Sequence, residues 1–315
     1  MKKFLKNIAL FTPLCVVLYF LLLIIMGEFA PHWLYSNLRY TRGYSDTGLR
    51  IADINNTPPP DILVLGSSHA YREFDPRIFR QYGYTMFNLG SSSQTPVQTG
   101  LLLQRYLKKL KPRCIIYEVY PGTFSVDGAE GAADLISNDT VKADMLNMAF
   151  GINDIVVYNT LAFAWYRQVT HRDHTEMQQI LDKNDTYVQC GYVERKMEFY
   201  TPDIPKGKPI KWKLKNKQFT AFAQNLAFIK SQRIPYVLVY APIPRVSYSR
   251  CKNNNEFSER MATYGPYYNF NGKVPLNDSL HFFDNNHLNQ QGVALFNKAL
   301  LSAETVLPLK QKPLK

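Results

Sequence analysis

Short apolar runs alternate with stretches of helical periodicity through most of the chain. The run Ile62–Leu65 has two β-branched residues among four, and such short continuous runs are typical of fully buried strands in a parallel sheet. The other predicted strands are 85–89, 114–120 and 235–241, and the predicted helices are 96–110, 218–231 and 290–306. Because this alternation indicates parallel strands joined by helical crossovers, the sequence predicts an α/β domain over residues 61–307.

The N-terminus has the pattern of a membrane anchor. Lys2, Lys3 and Lys6 precede an apolar run of about twenty residues, which is long enough to cross a bilayer. Since lysines stay on the cytoplasmic side, we predict a cytoplasmic tail at 1–7, a transmembrane helix at 8–27 and an extracytoplasmic remainder. A cleaved signal peptide is the alternative, but the run lacks a small-x-small cleavage site and is followed by bulky aromatic residues, which favours an anchor.

Three further segments do not belong to the regular alternation. Residues 28–60 end in a triple proline and are predicted to be a juxtamembrane linker. Residues 123–215 are predicted to be a largely helical insertion, with helical patterns at 141–150 and 154–167, that shapes a cleft or docks on another molecule. Residues 308–315 form a basic tail.

The composition restricts the classes of partner. The 315-residue chain is 46% hydrophobic, which argues against disorder. Its formal net charge is +12, which suggests an anionic neighbour. No zinc-finger spacing, RNA-binding motif or basic helix supports nucleic acid. A membrane surface or an acidic glycan is therefore the expected partner.

Cysteine and histidine spacings do not indicate a metal centre. Three cysteines follow the membrane run, and Cys114 opens a predicted buried strand. Cys190 and Cys251 are therefore the pair for any single disulfide, although sequence does not set connectivity. His171 and His174 have HxxH spacing but lie in a polar stretch that is typical of a solvated loop. We expect no cofactor and no metal.

The first candidate for chemistry is the sequence Gly-Ser-Ser-His that follows the first predicted strand. Gly66 permits a sharp turn, so Ser67, Ser68 and His69 are placed at the carboxyl end of the strand, where open α/β sheets bind ligands. A serine on a strand-to-helix elbow presents its oxygen beside free backbone N–H groups, as acyl transfer requires. Alone, this motif favours an ordinary Gly-Ser turn.

The second candidate lies far downstream, before the last predicted helix. Asp284 and His287 are three residues apart, a spacing that lets a carboxylate bind the imidazole Nδ1 and leave Nε2 facing the sheet edge. Taken alone, Asp-x-x-His is uninformative, because capping of the following helix explains it equally well. Its convergence with a serine elbow at one sheet edge makes a catalytic triad the preferred hypothesis.

Together these motifs resemble those of the SGNH (GDSL-like) hydrolase superfamily. Gly66-Ser67-Ser68 resembles its first block, with Ser67 in place of the usual Asp, and Asn88-Leu89-Gly90 resembles its second block. Asp284-Asn-Asn-His287-Leu288 resembles the last block. The resemblance covers about residues 61–307 and implies a three-layer α/β/α sandwich. No motif matches in the middle third.

The resemblance also implies roles for individual residues. Ser68 would be the nucleophile, His287 the general base and Asp284 its orienting carboxylate, while the N–H groups of Ser68 and Gly90 would bind the oxyanion. The first block, the anchor and the last block look most like the DltD-like and alginate O-acetylase-like branch. That likeness implies an extracytoplasmic, membrane-anchored serine O-acyltransferase that modifies an envelope polysaccharide or glycolipid, usually with a membrane-bound O-acyltransferase partner.

Two other function classes stay open at this stage. A carbohydrate esterase or deacetylase would use the same residues, and a non-catalytic glycan-binding partner could keep the fold without the chemistry. Two side chains are candidates for substrate binding. His69 stands where the branch more often has a carboxylate, and Arg245 follows the strand 235–241 at the same sheet edge, although a surface salt bridge explains it equally well.

The sequence departs from the family pattern at its third block. That block normally supplies an asparagine after the third strand, but residues 117–123 contain none. Asn153, in Gly151-Ile-Asn-Asp154, spells the block about thirty residues late beside a helical run, so it is left out of the predicted site.

Overall fold

The computed structural model describes residues 1–34, 36–40, 46–172, 184–201, 209–303 and 306–309. The strands are β1 Ile62–Leu65, β2 Met86–Asn88, β3 Cys114–Glu118, β4 Asp185–Val188, β5 Tyr192–Arg195, β6 Tyr236–Tyr240 and β7 Tyr267–Asn269. The helices are α1 Lys2–Phe29, α2 Thr47–Asp53, α3 Ser68–Glu73, α4 Pro76–Gln81, α5 Pro96–Leu110, α6 Ala129–Asn138, α7 Ala143–Ile152, α8 Ile155–Val169, α9 Asn216–Ser231, α10 Arg245–Arg250, α11 Asn254–Ala262 and α12 Gln290–Ser302.

A five-stranded parallel sheet forms the centre of the domain. Its strand order is β2-β1-β3-β6-β7, and each neighbouring pair is parallel. β1 lies inside the sheet between β2 and β3, so its carboxyl end faces the middle of one sheet edge. That position brings the loops after several strands within reach of the residue that follows β1.

Helices cover both faces of the sheet. Side chains alternate between the faces, as the pleat requires, so Leu63 and Leu65 join one apolar core while Ile62 and Val64 join the other. The first core packs against α5 and α9, and the second against α3, α4 and α12. The predicted three-layer α/β/α arrangement with a parallel sheet is confirmed.

The elements that were not predicted include an edge strand, a hairpin and a short helix. The edge strand β7 has only three residues, all of them partly buried, so its sequence lacks an apolar run. The antiparallel hairpin β4–β5 lies within the 123–215 insertion, which also contains α6, α7 and α8. Helix α2 lies within the predicted 28–60 linker, where the buried Arg50 donates from Nε to the Gly191 carbonyl (3.1 Å).

Among the described residues, α1 is the one helix long and apolar enough to cross a membrane, with a mean hydropathy of 2.8. It includes Pro13, begins six residues before the predicted 8–27 span and ends two residues after it. Cys190 and Cys251 are both free thiols, so the structure contains no disulfide between them. His174 lies outside the described residues.

Candidate active site

The turn after β1 presents a serine at the sheet edge. Gly66 has a φ of +146°, a conformation that favours glycine, and a Cβ there would lie 2.9 Å from Glu118. Ser67 follows as the N-cap of α3, and Ser68 is the first helical residue. Ser68 is partly exposed whereas Ser67 is buried, so only Ser68 is placed to meet a substrate.

Ser68, His287 and Asp284 form a hydrogen-bonded relay. His287 Nε2 lies 2.9 Å from Ser68 Oγ, and His287 Nδ1 lies 2.9 Å from Asp284 Oδ2. The structure therefore brings together all three residues of the predicted triad, across 219 positions of sequence between Ser68 and His287.

A short loop fixes the imidazole before α12 begins. Asp284 Oδ1 accepts hydrogen bonds from the backbone N–H groups of Asn286 (2.7 Å) and His287 (2.6 Å). The Phe283 ring stacks on the His287 ring with an interplanar angle of 7°, and the Phe283 N–H donates to the His287 carbonyl. Asp284 thus shapes the loop with one oxygen and orients the imidazole with the other.

The electrostatics of the relay suit a neutral base. Burial lowers the pKa of His287 below its usual value, and the hydrogen bond to Asp284 opposes this only in part. Burial would raise the pKa of Asp284, but hydrogen bonds from His287 and from backbone N–H groups outweigh it, so the pKa is lowered. At neutral pH the pair is therefore an imidazole beside a carboxylate, with Nε2 free to accept the serine proton.

The backbone around Ser68 supplies one N–H donor for an oxyanion. Ser68 opens α3, and the first N–H groups of a helix have no intrahelical acceptor. The Gly90 N–H, predicted as the second donor, instead donates to Asn88 Oδ1 (3.2 Å) and is not free for a substrate oxygen in this structure. Gly90 is needed for another reason: a Cβ there would lie 2.6 Å from the Ser67 carbonyl.

The prediction that His69 binds substrate is wrong. Its side chain is fully buried, and Nδ1 lies 3.0 Å from Glu73 Oε1. Its ring packs between Tyr120 and His287, at centroid distances of 4.2 and 4.9 Å. Being the second residue of α3, it points towards the following helical turn, where Glu73 stands four positions on, and therefore lies behind the relay.

A buried acidic cluster behind His69 was missed at the sequence level. Glu73 and Glu118 are 0% and 3% exposed. Burial raises the pKa of both carboxyls well above the usual value, and for Glu118 the neighbouring Glu73 adds to the effect. Burial also lowers the pKa of His69 to about 4, so its imidazole is neutral at neutral pH. The i,i+4 spacing of His69 and Glu73 was the one available signal.

Arg245 is not part of the site. It opens α10 and is exposed, and its backbone N–H donates to Asp278 Oδ1 (2.8 Å). No contact joins its side chain to the relay in the described part of the chain. Arg245 leaves β6 at the predicted edge, but α10 begins immediately and holds the residue at the surface.

The third family block has no counterpart here. After β3 the chain continues through Glu118 to Tyr120, whose ring packs on His69 and on Trp212. Asn153 ends α7 with a φ of +57° and accepts a hydrogen bond from the Tyr158 hydroxyl, so it caps the α7–α8 turn as its omission from the site anticipated.

Comparison with known proteins gives matches to solved structures of low sequence identity. No protein-family model and no curated protein matches the sequence. A Bacteroides fragilis protein assigned to the acylhydrolases is 12% identical, with a TM-score of 0.41, over 80% of this chain and 92% of its own. A GDSL-like lipase from Bacteroides thetaiotaomicron is 11% identical, with a TM-score of 0.40, over 82% of this chain and 98% of its own.

Proposed function

We propose that this chain is a serine-dependent enzyme that forms an acyl-serine intermediate on Ser68. The observation that carries the proposal is the continuous relay from Ser68 Oγ through His287 to Asp284, with both hydrogen bonds at 2.9 Å. The partial exposure of Ser68 at the sheet edge supports access by substrate. A glycan-binding protein without chemistry would have no need of this aligned relay.

The relay supports the following reaction steps. Ser68 Oγ attacks the acyl carbonyl while its proton passes to His287 Nε2, and Asp284 stabilises the imidazolium that forms. The Ser68 N–H donates to the oxyanion, a donor worth about 3–4 kcal/mol where such groups have been measured. The Ser68 acyl ester forms as the original C–O bond breaks, and the leaving alcohol takes the proton from His287.

The second half of the reaction decides between transfer and hydrolysis. His287 removes a proton from an acceptor hydroxyl, whose oxygen attacks the acyl-serine and releases Ser68. We propose that the acceptor is a hydroxyl of an envelope polysaccharide or glycolipid outside the membrane, supported by the candidate anchor α1 and the net charge of +12. An esterase or deacetylase would carry out the same steps with water.

Covalent labelling tests the nucleophile. The full chain is treated with a fluorophosphonate probe, beside Ser68→Ala and the matched variant Ser67→Ala, which removes a neighbouring buried hydroxyl. Wild type and Ser67→Ala should label and Ser68→Ala should not. Labelling that survives in Ser68→Ala would refute the proposal.

Product analysis tests the acceptor. With p-nitrophenyl acetate as donor, an acyltransferase should produce acetylated glycan at the expense of free acetate when a soluble oligosaccharide is added. Release of acetate alone, whatever acceptor is present, would instead establish an esterase.

A phosphatase fused after the last residue should be active in cells, because the proposal places the domain outside the cytoplasm. An inactive fusion would contradict that location.

A further inference from the structure

Helix α8 carries an exposed apolar stripe along one side. The stripe is formed by Ile155, Tyr158, Ala162, Trp165 and Val169, whose spacing of three and four residues places them on one helical face. Ile155, Trp165 and Val169 are 53%, 58% and 49% exposed. We call these five residues the α8 outer face. Tyr158 and Ala162 are partly buried. Large exposed apolar side chains grouped on one helical face mark a binding surface more often than a solvated one.

Helix α7 extends this apolar surface at the α7–α8 turn. Leu146 and Phe150 are 46% and 67% exposed, and Phe150 packs against Tyr158 with ring centroids 5.9 Å apart. Phe150 and Ile155 therefore stand on either side of the turn, which itself consists of Asn153 and Asp154.

The candidate membrane helix packs directly against α8. The Tyr19 hydroxyl donates to Asn159 Oδ1 (2.8 Å), and a Cβ on Gly27 would lie 2.5 Å from the Phe163 ring. The earlier residue of α1, Tyr19, contacts the earlier residue of α8, and Gly27 contacts the later one, so the two helices run in the same direction. Tyr19 is ten residues before the end of α1, so the first half of α8 lies beside the apolar part of α1 and not beyond it.

Charged groups lie where α1 and α8 end. At the carboxyl end of both helices, Glu28 pairs with Arg167 (3.0 Å) and with Arg172 (3.5 Å), which marks a polar level. At the other end of α8, two oxygens of the turn are bonded internally: Asp154 Oδ1 accepts from the Val156 N–H, and Asn153 Oδ1 accepts from the Tyr158 hydroxyl. Internal pairing of these two oxygens lowers the cost of placing the turn in hydrocarbon.

We propose that the α8 outer face and the apolar residues Phe150 and Ile155 that flank the α7–α8 turn lie in the outer leaflet of the bilayer that α1 crosses. The occupant is inferred from continuity: none of the most apolar part of α1 is buried within the protein, and the α8 outer face adjoins that helix below the Glu28 level. The domain is then docked on the membrane by two elements in fixed contact, rather than tethered by a linker. The inference is independent of the chemistry at Ser68.

Fluorescence quenching of Trp165 tests the proposal. The full chain is reconstituted in phosphatidylcholine vesicles whose acyl chains carry bromine, and its emission is compared with that of Trp165→Phe. The difference isolates Trp165, and Trp33→Phe, which removes another exposed tryptophan near the end of α1, is the matched control. Trp165→Phe keeps a large apolar side chain at a 58% exposed position, and circular dichroism checks its fold.

We expect brominated lipid to remove most of the Trp165 component and aqueous iodide to remove little of it. Quenching by iodide but not by brominated lipid would place the α8 outer face in water and overturn the proposal. Protection from both quenchers would also overturn it, since the face would then be covered by protein, such as a second copy of the chain. A catalytically inactive protein would give the same quenching result, so failure of the proposed function is distinguishable.

Discussion

Replacing Asp284 by asparagine separates the two roles of its carboxylate. Oδ1 accepts from the backbone N–H groups of Asn286 and His287, and Oδ2 faces His287 Nδ1. An asparagine would keep its amide oxygen towards the two backbone donors, since the reverse orientation would set N–H against N–H. Its NH₂ group would then donate to Nδ1. The imidazole proton would move to Nε2, 2.9 Å from Ser68 Oγ, where it prevents that nitrogen from acting as a base.

The expected loss follows from this tautomer change. Serine hydrolases with a buried aspartate lose roughly 10⁴-fold in kcat on this substitution. The Asp284 side chain is 40% exposed and water screens its charge, so we expect a smaller loss of about 10²- to 10³-fold. That loss corresponds to about 3–4 kcal/mol of transition-state stabilisation. The loop bonds survive, so the free energy of unfolding should change by less than about 1 kcal/mol.

Asp284→Ala is the matched comparison, because it removes the loop bonds as well as the orienting group. It should destabilise the fold by about 1–3 kcal/mol through the two orphaned N–H groups, besides losing activity. The assay is hydrolysis of p-nitrophenyl acetate, normalised to folded protein, with thermal unfolding of each variant. Activity within a few-fold of wild type in Asp284→Asn would refute the orienting role and leave Asp284 as a loop cap.

Two further predictions concern titration. Burial lowers the pKa of His287, and His287 must be neutral to act as a base. The value of kcat/KM should therefore fall on acidification with a midpoint below about pH 6.5, the ordinary pKa of histidine. A midpoint above that pH would contradict the assignment of a buried base. Burial raises the pKa of Glu118 in the folded state, so the folded protein holds a proton that the unfolded chain releases above about pH 4.5. The contribution of Glu118 to stability therefore declines as the pH rises from there. Glu118→Gln should gain melting temperature relative to wild type at pH 8 compared with pH 5, and Glu130→Gln, a substitution at an exposed position, is measured beside it as the control. Equal differences for Glu118→Gln at both pH values would mean that Glu118 is already ionised in the fold.

The regular part of the fold was predictable because its signals are local. The buried strands β1, β3 and β6 are apolar runs in the sequence, and α5 begins at Pro96, a residue favoured in the first helical turn. β7 was missed because a strand of three half-buried residues is defined by its partner and not by its own sequence. The hairpin β4–β5 was missed for a related reason, since its first strand has no buried residue.

In the candidate site too, residues in short sequence motifs were predicted, whereas residues placed by tertiary packing were not. The three triad residues were predictable because each belongs to a short sequence motif: Ser68 follows the Gly66 turn, and Asp284 and His287 are three residues apart before a helix. His69 was misassigned because adjacency to a nucleophile says nothing about which side of the helix a side chain occupies. Glu118 was missed because the end of a buried strand ordinarily carries apolar residues, and only the close approach of the Gly66 turn to its side chain shows that a carboxyl fits there.

The position of His287 rests mainly on polar bonds from side chains to backbone. The segment from β7 to α12 must run from the sheet edge back to β1, three strand spacings or about 14 Å away. Asn271 Oδ1 accepts from the Ile243 N–H (2.9 Å) near its start, and Asp278 accepts from two N–H groups of α10 in its middle. Near its end, Asn289 donates to the Leu280 carbonyl and accepts from the Gly292 N–H.

These bonds explain why a segment with few apolar anchors can hold the His287 imidazole within 2.9 Å of its partner. Each bond fixes direction as well as distance, which apolar burial does not. Phe282 and Leu288 are the buried anchors on either side of the Asp284 loop, and they face each other across an isolated bridge. The core thus holds the ends of the loop, while Asp284 sets the conformation between them. A substitution that preserves those polar bonds should therefore test catalysis with little disturbance of folding, which is why Asp284→Asn is more informative here than removal of the whole side chain.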